Sequence, residues 1–190
     1  QEAKELAVAA FELSEAFGTP VMLRITTRIA HSSTPVQVGE RQERPPRAEK
    51  FPREIAKYTM LPANARGRHP AIEERVQRLA EFAGGFPANR VEWRDRSLGI
   101  VTCGVAYQYA REVFPKASTL HLGMSYPIPP QMVREFAAGV ERLIVIEELD
   151  PFLEEEIKLL GIACEGKSIF PLLGELDPRT VREASIAAGL

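Results

Sequence analysis

From position 98 onward the chain alternates short apolar runs with amphipathic stretches, and that rhythm leaves few folds open. Leu98-Gly-Ile-Val-Thr-Cys103, Ser118-Thr-Leu-His-Leu122 and Arg142-Leu-Ile-Val-Ile-Glu147 read as strands. Val105 to Phe114, Pro130 to Val140 and a stretch opened by Asp150-Pro151 and running to Leu160 read as helices. Ser168-Ile-Phe170 reads as a last short strand before a final helix opened by Asp177-Pro178. Apolar runs without polar alternation suit strands covered on both faces. Strands alternating with helices of about 10–15 residues form βαβ units with right-handed crossovers. The expected fold over residues 98–190 is therefore α/β, a three-layer α/β/α arrangement around a mostly parallel sheet. Asp150 and Asp177 each precede a proline, which places a side-chain acceptor at the N-cap and a ring suited to the first helical position.

The rest of the 190 residues carries less. In Ala3 to Phe17 the apolar residues Leu6, Ala10, Leu13 and Phe17 recur at helical spacing, and Gly18 follows where a helix terminator belongs. Pro20 to Arg28 is rich in β-formers and is expected to be a strand. This helix and strand have no local partner before position 98. They either pair with the later sheet or form a helix-strand remnant, the last unit of a domain whose beginning is missing. The chain opens on Gln1 rather than Met, which fits an internal piece. Residues 35–97 read as a connector with one helix. Pro35, Pro45, Pro46, Pro52 and Pro62 interrupt its first half. The helix starts at Pro70, shows Ile72, Val76, Leu79 and Ala83 on one face, and ends at Gly84-Gly85.

Net charge is −2, yet residues 35–69 hold eight Lys/Arg against four Asp/Glu while residues 98–190 hold eight against thirteen. Arg41, Arg44, Arg47, Lys50, Arg53 and Lys57 invite a nucleic-acid reading. Glu40, Glu43, Glu49 and Glu54 interleave with them and only Phe51 and Tyr58 could stack on bases, so a solvated connector is the better reading and no nucleic acid is expected. The longest apolar stretches, such as Leu143 to Ile146, fall far short of the roughly 20 residues of a membrane span. Two cysteines, Cys103 and Cys164, with no CxxC, suggest neither a disulfide framework nor a zinc site, and a cytoplasmic setting is expected.

Open parallel sheets receive ligands at the carboxyl ends of their strands, which here are Thr102-Cys103-Gly104, Gly123-Met124-Ser125 and Glu147-Glu148. Gly104 could let a phosphate approach a helix N-terminus, but the segment lacks the three-glycine fingerprint, and a tight strand-to-helix turn is the better reading. Glu147 and Glu148 are adjacent and do not form a matched acid–base pair; one is expected to cap a neighbouring helix and the other to be solvated. His31, His69 and His121 lie far apart and give no triad. Arg24-Ile-Thr-Thr-Arg-Ile-Ala-His31 crowds polar groups at the presumed end of a strand, where guanidinium and hydroxyl groups suit a carboxylate, a phosphate or an interdomain salt bridge.

Four segments together resemble one family. Gly18-Thr-Pro-Val-Met-Leu-Arg-Ile-Thr-Thr-Arg-Ile-Ala-His-Ser32, Leu98-Gly-Ile-Val-Thr-Cys-Gly-Val-Ala-Tyr107, Tyr126-Pro-Ile-Pro129 and Leu143-Ile-Val-Ile-Glu-Glu-Leu-Asp-Pro151 are similar to the α subunit of indolepyruvate ferredoxin oxidoreductases. These belong to the thiamine-diphosphate-dependent 2-oxoacid:ferredoxin oxidoreductases. The resemblance implies that residues 1–34 end a pyrimidine-binding thiamine domain, 35–97 connect, and 98–190 form a domain similar to the transketolase C-terminal domain. The implied reaction is oxidative decarboxylation of aryl 2-oxoacids to acyl-coenzyme A, with thiamine diphosphate, magnesium and 4Fe-4S clusters as cofactors and ferredoxin taking the electrons. The implied partners are the other domains of the parent chain and a β subunit, with a homodimer possible. No GDG and no cysteine cluster occurs here, so this chain is expected to bind none of those cofactors by itself and to hold no catalytic or metal residue. Thr27, Arg28, His31 and Gly104 are the cleft candidates. The competing expectation is a free-standing α/β module that binds a nucleotide or coenzyme A at the Gly104 turn.

Overall fold

A computed structural model of the chain describes residues 1–41 and 53–190, which fall into two compact units, Gln1–Arg75 and Val76–Leu190. Arg44, Arg47, Lys50 and Phe51, with Pro45, Pro46 and Pro52, lie outside the described residues.

The second unit is built on β1 (Arg90–Glu92), β2 (Asp95–Cys103), β3 (Ala117–Leu122) and β4 (Arg142–Ile146), in spatial order β1-β3-β2-β4. β2 runs parallel to both β3 and β4, whereas β1 runs antiparallel to β3. Ile100 stands beside Thr119 on one side and Ile144 on the other, and Val101 beside Leu120 and Val145. Because side chains alternate across a strand, these neighbours supply two cores. On one face Ile100, Ile144 and Ile146 pack with Ala106, Tyr109 and Ala110 of α5 (Ala106–Val113) and Val181 of α8 (Pro178–Ala187). On the other, Val101, Leu120, Leu122 and Val145 pack with Val133 and Phe136 of α6 (Pro130–Ala138) and Leu153 and Ile157 of α7 (Phe152–Leu159). Burial on both faces explains why the strands read as continuous apolar runs. The three-layer α/β/α architecture with a mostly parallel sheet is thus as the sequence implies.

Three details differ. The sheet begins before position 98: Val91 of β1 pairs with Leu120 inside the segment read as connector. Three residues are too short a run for period-two reading. Ser168 to Phe170 is a turn rather than a strand, closed by the Phe170 N–H on the Gly166 carbonyl at 2.9 Å, and it drops the Phe170 ring into the core. Instead, Glu165 makes a single parallel bridge to Ile144. Asp150 does not cap α7; Asp177 does cap α8, its Oδ1 accepting the Thr180 N–H at 2.7 Å.

In the first unit α1 spans Glu2–Phe17 and ends at Gly18 in the left-handed conformation (φ 59°), its N–H on the Ser14 carbonyl. Residues 20–26, expected to be a strand, have no ladder, and a single helical turn, α2 (Thr27–Ala30), follows. β-formers without neighbouring strands have nothing to bond to, so the run stays unpaired. Gln37 donates its N–H to Gln1 Oε1 at 3.0 Å, and Lys4 Nζ donates to the Gln37 carbonyl. α3 covers Ile55–Tyr58. The helix expected from Pro70 begins earlier: α4 runs Pro62–Ala83. Pro62 needs no bonded N–H at the first position, and Pro70 forgoes one internal bond without ending the helix. None of the described residues of the first unit is buried.

Candidate functional site

The carboxyl ends of β2, β3 and β4 converge on one rim of the second unit, as the parallel pairing requires. Each strand leaves through a different device. β2 turns into α5 at Gly104, which has φ 55° and open space where a Cβ would stand. That positive φ is the reason a glycine occupies the turn. β3 leaves at Gly123, where a Cβ would lie 2.5 Å from the Ala88 Cβ, and the Gly123 N–H bonds the Ala88 carbonyl. Asn89 fastens this loop: its Oδ1 accepts the Met124 N–H at 2.8 Å and its Nδ2 donates to the Ala83 carbonyl at 2.9 Å.

After β4 comes Glu147, which is buried. Its Oε2 accepts the Leu153 N–H at 2.8 Å and its Oε1 the Glu154 N–H at 3.0 Å, so it caps α7 from the strand side. Of the adjacent pair, one carboxylate caps as expected; Glu148 is half-buried. Burial pushes the Glu147 carboxyl above the usual range, opposed by those two N–H groups and by Lys167. Lys167 donates Nζ to the Glu147 carbonyl at 2.6 Å, and burial lowers its own pKa. Glu154 is buried one turn on. Burial opposes its ionisation, but Lys158 Nζ at 2.6 Å and the Lys167 N–H at 2.7 Å outweigh it, and its pKa is held low. Gly166 makes room for this carboxylate: a Cβ there would stand 2.4 Å from Glu154 Oε2.

The same rim exposes apolar groups. The Tyr126 and Phe152 rings lie 6.1 Å apart, both solvent-exposed, and Leu149 holds φ 60° with 48% of its surface exposed. A γ-branched residue in that region is held there by its surroundings. A second polar cluster lies where β1, β3 and α5 meet. Glu92 accepts the Tyr107 hydroxyl and faces Arg111 and Arg90 at 3.6 Å each; these three partners, the Tyr107 hydroxyl first, hold its pKa low against burial. The Tyr107 ring lies tilted by 42° against the buried His121 ring, their centroids 4.5 Å apart. Sequence reading missed this cluster with β1, and it missed the Glu154–Lys167 pairing because a turn, not a periodic element, brings the two together.

Thr27, Arg28 and His31 share one helical turn of the first unit and are exposed, with the His31 N–H on the Thr27 carbonyl at 3.1 Å. Gly104 belongs to the second unit. Among the described residues no group of three or more His, Cys, Asp or Glu could hold a metal. Cys103 and Cys164 are both half-buried, and burial pushes the Cys164 thiol up to about 11, so it is not poised as a thiolate ligand. Four thiolates hold an ordinary iron–sulfur cluster, and this chain has two cysteines. The residues present do not fit a cluster.

No protein-family model matches the chain. It is similar to the indolepyruvate oxidoreductase subunit IorA of Thermococcus kodakarensis, 34% identical over 96% of this chain and 31% of the relative. The corresponding subunit of Methanothermobacter thermautotrophicus is 36% identical over 93% and 29%, and that of Archaeoglobus fulgidus 32% over 86% and 27%. Among solved structures it is similar to a 2-oxoglutarate:ferredoxin oxidoreductase from Magnetococcus marinus, with a TM-score of 0.52 and 18% identity over 67% of this chain and 23% of that one, a likeness of fold. The chain spans about 30% of the length of the curated relatives it matches. Over nearly its whole length the chain is thus similar to one segment of the indolepyruvate oxidoreductase IorA subunits.

Proposed function

We propose that this chain is a noncatalytic, structural and interdomain segment of an oxidoreductase α subunit. The whole enzyme would oxidatively decarboxylate indolepyruvate and related aryl 2-oxoacids to acyl-coenzyme A and pass electrons to ferredoxin, in the cytoplasm and with a β subunit. The observation that carries this reading is the alignment of 96% of the chain with an IorA subunit in one stretch. Residues 1–34 would close the pyrimidine-binding thiamine domain, 35–97 connect, and 98–190 form the supporting α/β domain. Thiamine diphosphate, magnesium and 4Fe-4S clusters would be held by other parts of the enzyme, because this chain offers two cysteines and no GDG. Its own contribution is orientation. The capped α7, the Asn89 clasp and the strand-end turns fix a rim of rigid loops on which a neighbouring domain can rest. Thr27, Arg28 and His31 are the residues that would face the cofactor or substrate cleft, with Arg28 holding an anion of substrate or coenzyme A.

The test is activity of the chain by itself. With added thiamine diphosphate, magnesium, ferredoxin, indolepyruvate and coenzyme A, it should give no turnover; turnover would overturn the noncatalytic reading. A second reading, a free-standing module for a nucleotide or coenzyme A, is favoured by the open Gly104 turn beside buried Thr102, whose hydroxyl has no partner among the described residues. Saturable binding of coenzyme A or ATP by the isolated chain, lost in Gly104→Val, would favour that module instead.

A further inference from the structure

Polar side chains interrupt the apolar faces of β2 and β3 at one corner of the sheet, and one helix covers them. We propose that this corner encloses a bound water molecule that bridges the Thr102 and Thr119 hydroxyls and accepts a bond from the Arg111 guanidinium. The inference concerns the second unit alone and stands whether or not the oxidoreductase reading does.

The strand register puts these groups together. Thr102 stands beside His121, and Thr119 stands between Ile100 and Glu92. Because side chains alternate along a strand, Thr102, Thr119 and His121 share the face that carries Ile100. α5 roofs that face. Its Ala106 and Ala110 pack into the apolar core, while Tyr107 and Arg111, one turn apart, reach toward β3 and β1. The Tyr107 ring lies 4.5 Å from that of His121, and Arg111 Nε stands 3.6 Å from Glu92 Oε2. The Arg90 guanidinium lies 4.9 Å from the centre of the Tyr107 ring.

Three polar atoms of this corner are enclosed and have no hydrogen-bond partner among the described residues: Thr102 Oγ1, Thr119 Oγ1 and Arg111 Nη1. The two threonines are 0% and 1% exposed. The buried serines of the unit behave differently. Ser118, next to Thr119, accepts the Arg94 N–H at 2.9 Å and donates to the Asp95 carbonyl at 3.0 Å, and Ser185 donates to the Val181 carbonyl at 2.6 Å. Buried hydroxyls and guanidinium nitrogens are bonded to protein or to ordered water, because leaving them bare forfeits the hydration they had in the unfolded chain.

Water fits the donor set. An arginine nitrogen only donates, whereas a hydroxyl both donates and accepts; one water can accept the Arg111 N–H and one threonine O–H and donate to the other threonine. The two threonines lie on a diagonal of adjacent strands, about 8 Å between Cα atoms, a span that two successive hydrogen bonds through one water close. A chloride could accept from all three groups, but the Glu92 carboxylate already faces Arg111 and repels a second anion.

The experiment is a high-resolution crystal structure of the 190-residue chain, joined to a valine series followed by urea denaturation. Valine keeps the branched shape of threonine and removes the hydroxyl. The expected crystal result is a water within hydrogen-bond distance of both threonine hydroxyls and of Arg111 Nη1. Thr102→Val and Thr119→Val should each lower the folding equilibrium constant about fivefold to tenfold, and the double variant by less than the product, since both changes remove partners of the same water. Bare hydroxyls give the opposite sign: each valine then raises the constant, because an unpaired buried group has been removed. A site without water, a site that bromide occupies by its anomalous scattering, or a valine that leaves stability unchanged or raises it overturns the proposal. Where a variant fails to fold, the crystal structure of the unaltered chain decides.

Discussion

Glu147, the residue after β4, accepts the Leu153 N–H at 2.8 Å, so a strand end supplies the cap that α7 lacks from its own N-terminal residues. Glu147→Ala leaves the Leu153 and Glu154 N–H groups buried without an acceptor. A loss of about 1–3 kcal/mol is expected. Urea denaturation of the purified chain reads it, and an unchanged midpoint would show that the cap carries no stability.

Glu147 and its neighbour Glu154 should respond oppositely to pH. Burial raises the Glu147 pKa in the folded chain, so its stabilising contribution is complete below the ordinary carboxylate range and is lost as pH rises through the folded value. The Glu154 pKa is lowered by Lys158 and the Lys167 N–H despite burial, so its contribution is present above the ordinary range and is lost as pH falls through the folded value. Thermal melts across the acid range should show Glu147→Gln removing the first dependence and Glu154→Gln the second. The same pH slope in both variants would contradict the assignment.

Glycine substitutions separate two causes. At Gly99 an added Cβ would stand 2.7 Å from a Val140 methyl in the middle of the sheet, so Gly99→Ala should cost about 1–3 kcal/mol through overpacking. At Gly104 there is open space but φ is 55°, so Gly104→Ala should cost only about 1 kcal/mol through the backbone. Denaturant midpoints decide the order of the two.

Leu149 offers the converse. Because its φ is 60° and its side chain is half exposed, Leu149→Gly should be more stable than Leu149→Ala by about 1 kcal/mol, the reverse of the order at an ordinary site. Comparing the two melting curves checks this directly.

The parallel sheet was legible because Leu98–Cys103 and Arg142–Ile146 lie between helices on both faces and so carry unbroken apolar runs. β1 was not, since three residues held mainly by pairing to His121, Leu120 and Thr119 show no period of their own. Asp177 declared its cap because the acceptor is local, whereas the cap of α7 comes from Glu147, six residues before the first N–H it takes. The Val21–Ile25 run has the composition of a strand, yet among the described residues it joins no ladder, because pairing depends on neighbouring strands as well as on composition. Of the rim, the strand ends were predictable from topology; the exposed Tyr126, Leu149 and Phe152 and the Glu154–Lys167 contact depend on loop geometry.

Arg28 tests the proposed role of the first unit. In a complete enzyme carrying this segment, Arg28→Ala should lower kcat/KM for indolepyruvate or weaken coenzyme A binding about tenfold or more, as loss of a charge-assisted contact implies. Equal values for both parameters would remove Arg28 from the cleft.

The most direct measurement replaces the aligned segment of the Thermococcus kodakarensis IorA subunit with this 190-residue chain and follows indolepyruvate-dependent, coenzyme A-dependent reduction of ferredoxin by the assembled enzyme. Turnover by the chimera, with none from the 190-residue chain alone, is the predicted result. A folded and assembled chimera that binds its cofactors yet reduces no ferredoxin would contradict it.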